Sequence, residues 1–213
     1  MRTKRPVLSS RKKPQQTRSR EVVEAVLQAT TYLLLRGGYE ALTTNRIAER
    51  AGVNIASLYR YFPNKEAIVA ELMRRHIART RAAVVPAASR HDIDDLSARV
   101  RAVIEVVAAE HAVEPRLHAI FSELGPRIGF KRDTGLDPAL ASAGDAWTRA
   151  ASGRLPDPAL SLWVAQTAVH AVFHAAFSER PDVAARPQLV DELVRLVTSY
   201  LNVPTPSLTG KRP

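Results

Sequence analysis

The sequence contains no cysteine in 213 residues. Disulfides, thiolate catalysis and Cys-ligated zinc are therefore excluded, and nothing points to an oxidising compartment. It contains no G-x-S-x-G, no P-loop and no G-x-G-x-x-G, so neither a nucleophile elbow nor a phosphate cradle is on offer. We expect no catalytic residue, no cofactor and no enzyme. Acidic residues are missing from the first 20 positions, which carry eight Lys/Arg. That same opening, MRTKRPVLSSRKKPQQTRSR, lacks the apolar core of a secretory signal. No stretch alternates apolar and polar residues as a half-buried strand would, and there are no internal repeats. Long apolar runs are scarce. Pro158 to Ser178 carries no Asp, Glu, Lys or Arg, but Ser161, Gln166, Thr167, His170, His174 and many alanines dilute it. A helix buried in protein fits it better than a membrane span, and no membrane partner is expected.

What is present is ordinary globular material, 46% hydrophobic and 24% charged, long enough to bury a real core in one large or two small domains. The charge, however, is unevenly placed. Residues 1–80 hold 16 Lys/Arg against 6 Asp/Glu, whereas residues 81–213 hold 15 of each. The whole net charge of +10 thus lies in the first two-fifths of the chain. Such a segment suits a polyanion, through phosphate neutralisation and counterion release; a basic tail on an unrelated domain would show the same balance.

Apolar periodicity and punctuation predict an all-α chain. Residues 1–17 read as a basic, proline-punctuated arm without fixed structure. A first helix spans about 19–36, with Val22, Val23, Val26, Leu27, Thr30, Leu33 and Leu34 on one face, and Gly37-Gly38 ends it. Thr43 is placed to cap a second helix over 44–51 and Asn54 a third over 55–61. A fourth runs from Lys65 to about Val85, ahead of Pro86. Further helices are expected near 92–111, 115–124, 137–153, 158–179 and 187–202, with prolines at or near their boundaries. These divide into a three-helix domain at 18–64, a linker helix at 65–85 and a helical domain at 86–203, followed by a structureless tail at 204–213.

The stretch from Leu42 to Phe62 places two short helices around a turn at Gly52. Ala48 and Ala51 are small enough for close crossing, and glycine can take the left-handed conformation of the turn. Ile47, Val53 and Leu58 fill the space between the helices. Ile55, Ala56, Ser57, Tyr59 and Arg60 are left on the outer face, where a recognition helix presents its N-terminal residues to base edges.

Here the sequence resembles the TetR/AcrR family of bacterial regulators. The run TTNRIAERAGVNIASLYRYFPNKEAIV, preceded by GGYEALTT at the end of the first helix, matches the family's three-helix DNA-binding domain over about residues 18–78. The resemblance implies that Thr43 and Thr44 contact phosphate at the start of the second helix, where hydroxyls and backbone N–H groups suit an anion. It implies that Asn45 and Arg46 reach bases or backbone. Asn54, Ile55, Ala56 and Ser57 match the base-reading start of the third helix, Ile55 and Ala56 through thymine methyls. Tyr59, Arg60 and Tyr61 resemble contacting residues, and Lys65 resembles a phosphate clamp. Ala56 stands where family members often carry glycine.

For the second half the resemblance is architectural only, and implies a divergent effector-binding and dimerisation domain. Candidate pocket residues are His118, Phe121, Leu124, Phe130, Trp147, Phe173 and Phe177, an aromatic and mostly apolar set suited to a small lipophilic molecule and equally natural in a packed core. Candidate homodimer residues are Leu160, Trp163, Val164, Thr167 and Ala171 on one helix and Leu189, Leu193, Leu196, Val197 and Tyr200 on the last; both rows would also serve an intrachain core. His170 and His174 stand at i, i+4, but no third ligand is evident, so no metal is expected. The function implied is a cytoplasmic, nucleoid-associated repressor that binds double-stranded, palindromic operator DNA as a homodimer and is released by a small-molecule effector. The alternative is a sequence-tolerant architectural DNA binder without an effector.

Overall fold

A computed structural model of the chain describes residues 17–90, 95–131, 141, 155 and 157–202. Among these residues the regular structure is entirely helical. The helices are α1 (Thr17–Gly37), α2 (Thr44–Ala51), α3 (Ile55–Tyr61), α4 (Lys65–Ala88), α5 (Leu96–Val113), α6 (Pro115–Ile128), α7 (Pro158–Glu179), α8 (Pro181–Ala184) and α9 (Gln188–Asn202). The arm expected over 1–17 (Thr17 apart), the tail at 204–213 and, apart from Ala141, the helix expected at 137–153 lie outside the described residues.

The helices form two compact units. One takes the chain up to Arg79 together with the segment beginning at Glu114; the other takes Thr80–Val113 and the described residues from 141 onward. Helix α6, expected in the C-terminal domain, belongs with the first unit, and α4 contributes residues to both.

In the first unit, Val23, Val26, Leu27 and Leu34 of α1 meet Ile47 and Ala48 of α2, Leu58 of α3 and Ile68, Val69 and Met73 of α4. The inward spacing of these residues is helical throughout, which is why burial of one stripe fixes each helix. Thr30 is buried in this core, its hydroxyl donating 2.8 Å to the Val26 carbonyl, which satisfies that hydroxyl without a partner from another helix. Leu124 and Ile128 bring α6 into the same core. Helix α6 runs past its expected end at 124 because Gly129, at φ 72, caps it: its N–H and that of Phe130 close onto the Pro126 and Gly125 carbonyls at 3.1 and 2.9 Å. Pro126 itself is exposed. Likewise α4 carries Pro86 in its last turn rather than stopping before it, where the missing N–H costs one bond near a terminus.

In the second unit, Leu96, Val100 and Ile104 of α5 pack with Leu162, Ala165, Val169 and Phe173 of α7 and with Leu193, Val194, Val197 and Leu201 of α9. Helix α7 is the one described helix long and apolar enough to cross a membrane by length and composition. Within this unit it buries Ser161, Leu162, Ala165, Val169, Phe173 and Ala176.

Candidate nucleic-acid interface

Two side-chain caps set the geometry of the α2–α3 pair. The Thr43 hydroxyl accepts from the Arg46 N–H at 3.2 Å and opens α2; the Asn54 carboxamide oxygen accepts from the Ala56 N–H at 2.8 Å and opens α3. Between them Gly52 sits at φ 66 and passes the chain from one helix to the next, its N–H reaching the Glu49 carbonyl and the Val53 N–H reaching that of Ala48. The two helices are tied again at their outer ends, where the Thr44 and Tyr59 hydroxyls lie 2.9 Å apart. With Leu58 fully buried beneath, α3 has a fixed face toward the core and therefore a fixed face away from it.

Thr43, Asn45, Arg46, Asn54, Ala56, Tyr59 and Arg60 are exposed, and Thr44, Ile55, Ser57 and Lys65 are half-buried. Ile55 is also packed against the core, so only part of it faces outward. Arg46 folds back, Nη1 donating 2.7 Å to the Ala41 carbonyl. Lys65 opens α4 with its ammonium 4.0 Å from the centre of the Tyr39 ring and its Nζ donating to the Tyr39 carbonyl at 3.3 Å. Tyr61 requires a correction. Its ring is only 5% exposed and belongs to the core of the unit, because it lies three residues after Leu58 on the inward face of a seven-residue helix. It supports α3 from beneath rather than standing beside Tyr59 and Arg60.

A cationic cluster was not foreseen. Arg50 stacks 3.9 Å above the Tyr32 ring, and Arg36 Nε donates 3.3 Å to the Tyr32 hydroxyl. That bond, with the Arg36 charge, holds the phenol below the usual tyrosine range. The 32/36 spacing is visible along α1, but Arg50 arrives from another helix, which no local pattern could show.

The remaining candidates divide between the units. Leu124 is core of the first unit, a correction to its reading as a pocket wall: the extension of α6 turns Leu117, Leu124 and Ile128 inward on one stripe. Phe121 and Phe130 pack against that core, and the buried His118 ring meets His76 edge-on at 4.1 Å. Phe173 and Phe177 belong to the second unit, with their rings 5.4 and 5.7 Å from that of His111. Trp147 lies outside the described residues. His170 and His174 stand with ring centres 5.5 Å apart; among the described residues no group of three or more His, Cys, Asp or Glu is placed to hold a metal.

The interface candidates on α7 and α9 also separate. Leu160 (54% exposed), Trp163 (38%), Leu196 (49%) and Tyr200 (40%) face outward, with Thr167 and Ala171 exposed and Val164 half-buried beside them. Leu193 and Val197, at 2% and 5%, do not: they are core of their own chain, and Leu189 packs against it. Helix α9 is apolar on two sides, and its period alone does not tell which one meets α5 and α7.

Comparison with known proteins agrees with this geometry. Residues 26–72 match the family model described as "Bacterial regulatory proteins, tetR family", and residues 95–201 match the "Tetracyclin repressor-like, C-terminal domain". The chain belongs to the TetR family. The first of these models describes bacterial regulatory proteins. Among curated TetR-type relatives, it is 40% identical over 60 residues to the HTH-type transcriptional repressor KstR of Mycolicibacterium smegmatis, covering 28% of this chain and 29% of that protein. It is 43% identical over 51 residues to the regulator YvkB of Bacillus subtilis, covering 24% and 27%. The chain thus spans less than a third of the length of these curated relatives. A TetR-family regulator from Streptomyces coelicolor shares the fold with a TM-score of 0.62 at 24% identity, over 86% of this chain and 97% of that one. One from Haemophilus influenzae does so at 0.59 and 12%, over 87% and 98%.

Proposed function

We propose that this TetR-family chain is a repressor that binds a palindromic operator as a homodimer and is released by a small lipophilic effector. The observation that carries the reading is the α2–α3 pair: two capped helices locked around Gly52, with Leu58 and Tyr61 buried and Asn45, Ala56, Tyr59 and Arg60 exposed. An outer face so fixed suits insertion into a major groove, where the start of α3 meets base edges and the rest meets phosphate. Lys65 takes the part of a phosphate clamp at the start of α4. The exposed row of Leu160, Trp163, Leu196 and Tyr200 is the surface that a two-fold partner would cover. Phe173 and Phe177 beside His111 supply an aromatic wall in the second unit for an effector. Release follows if the effector binds better to a state whose two recognition helices no longer match the operator spacing.

Selection of bound sequences from random DNA by the purified chain tests this. A palindrome with half-sites about one helical turn apart is expected. Recovery of no preferred sequence would favour the architectural alternative. A ligand screen for release of the selected DNA then addresses the effector.

A further inference from the structure

A lysine on a flexible four-carbon stem is ordinarily a poorly placed charge. Lys65 is not. Both of its anchors belong to one residue: the Tyr39 ring lies 4.0 Å beneath the ammonium, and the Tyr39 carbonyl accepts from Nζ at 3.3 Å. Two of the three ammonium donors are left for another acceptor. The position of the charge is therefore the position of Tyr39.

Tyr39 lies in the short non-helical link between α1 and α2 and is held from several sides. Its hydroxyl donates 2.7 Å to Glu66, and its carbonyl also accepts from the Leu42 N–H at 3.1 Å. From α6, Arg127 approaches the same ring at 5.9 Å, while its Nη2 donates 2.5 Å to the carboxylate of Glu40, the next residue. Burial and the Glu66 bond push the Tyr39 phenol well above the usual tyrosine range, and the Glu40 bond pushes the Arg127 guanidinium up. Arg127 also pairs with Glu123 at 3.3 Å. Two carboxylates oppose its one charge, so it is poorly suited to meet a phosphate itself.

We propose that Arg127 is a positioning residue for DNA binding, which through Glu40 and Tyr39 sets the Lys65 ammonium where a phosphate can meet it. Helix α6, distant in sequence from α2 and α3, thereby contributes to operator affinity without touching DNA. The inference rests on the reading of Lys65 as a phosphate contact, and the two are separable. Operator affinity of the full chain is measured across a salt series for K65Q, R127Q, E40Q, R127K and K65Q/R127Q, on DNA recovered by the selection above, with thermal melting alongside. K65Q is expected to flatten the plot of log K against log salt by about 0.9 per protomer, the loss of one phosphate contact. R127Q and E40Q should each flatten it in the same direction and weaken binding severalfold, with R127K restoring most of the loss. K65Q/R127Q should bind no worse than K65Q.

An R127Q or E40Q that keeps the parental slope while K65Q loses it overturns the inference alone. A double variant whose losses add overturns it too, by making Arg127 a direct contact. A K65Q with an unchanged slope removes the reading of Lys65 itself and takes the inference with it. If R127Q fails to fold, E40Q carries the test, because it breaks the same ion pair from the exposed turn.

Discussion

Tyr59, Arg60 and Tyr61 are consecutive, yet the helix sends them in different directions. Tyr59 and Arg60 are exposed, whereas the Tyr61 ring is core. Successive residues on a helix are about a third of a turn apart per step, so a run of three cannot share one face. Replacing Arg60 or Tyr59 with alanine should weaken operator binding while leaving the melting transition nearly unmoved, since exposed substitutions change stability by about 0.5 kcal/mol or less. Tyr61→Ala should behave oppositely, losing about 3–5 kcal/mol of stability as an aromatic removed from a core does. Denaturant unfolding beside anisotropy on operator DNA separates the two behaviours; a fully stable Tyr61→Ala protein would place that ring outside the core. Family resemblance marked all three residues together, and burial is what divides them.

At the scale of the element, the α2–α3 pair depends on backbone devices that were already legible. Thr43 and Asn54 cap as their residue types and positions suggest, and Gly52 takes the left-handed turn. A Cβ at Gly52 would meet open space, so the penalty of Gly52→Ala is conformational alone, about 1–2 kcal/mol for a non-glycine residue at positive φ. Asn54→Ala should lose about 1 kcal/mol through the cap. Both are measured as shifts in the unfolding midpoint. A Gly52→Ala protein as stable as the parent would mean that the turn relaxes without the left-handed residue. The ends of α4 and α6 were less legible. Pro86 and Pro126 read as stops, yet both lie in the last turns of helices, where each proline forfeits one backbone bond to the carbonyl four residues earlier and the helix ends within two residues.

At the scale of the molecule, α7 and α9 carry apolar residues on more than one side. Those on one side make the core of the second unit, while Leu160, Trp163, Leu196 and Tyr200 stay exposed. Leu160→Glu and Trp163→Glu should shift the chain from dimer to monomer in sedimentation with little loss of helical signal. Leu193→Ala should instead lower stability by about 2–5 kcal/mol, since it empties part of a core. A chain that is monomeric before any substitution would sink the proposed two-fold assembly.

The sequence by itself determined the helical class, the caps and turn of the α2–α3 pair, and the part of the chain in which positive charge collects. These depend on interactions between residues a few positions apart, or on composition, which a linear reading contains in full. Only the tertiary structure decided that α6 joins the first unit, that Arg127 reaches Glu40 across 87 positions, and which apolar face of α9 is core. Contacts of that range are selected by which surfaces pack best together once the helices exist, and helical periodicity is the same whichever neighbour finally covers the face.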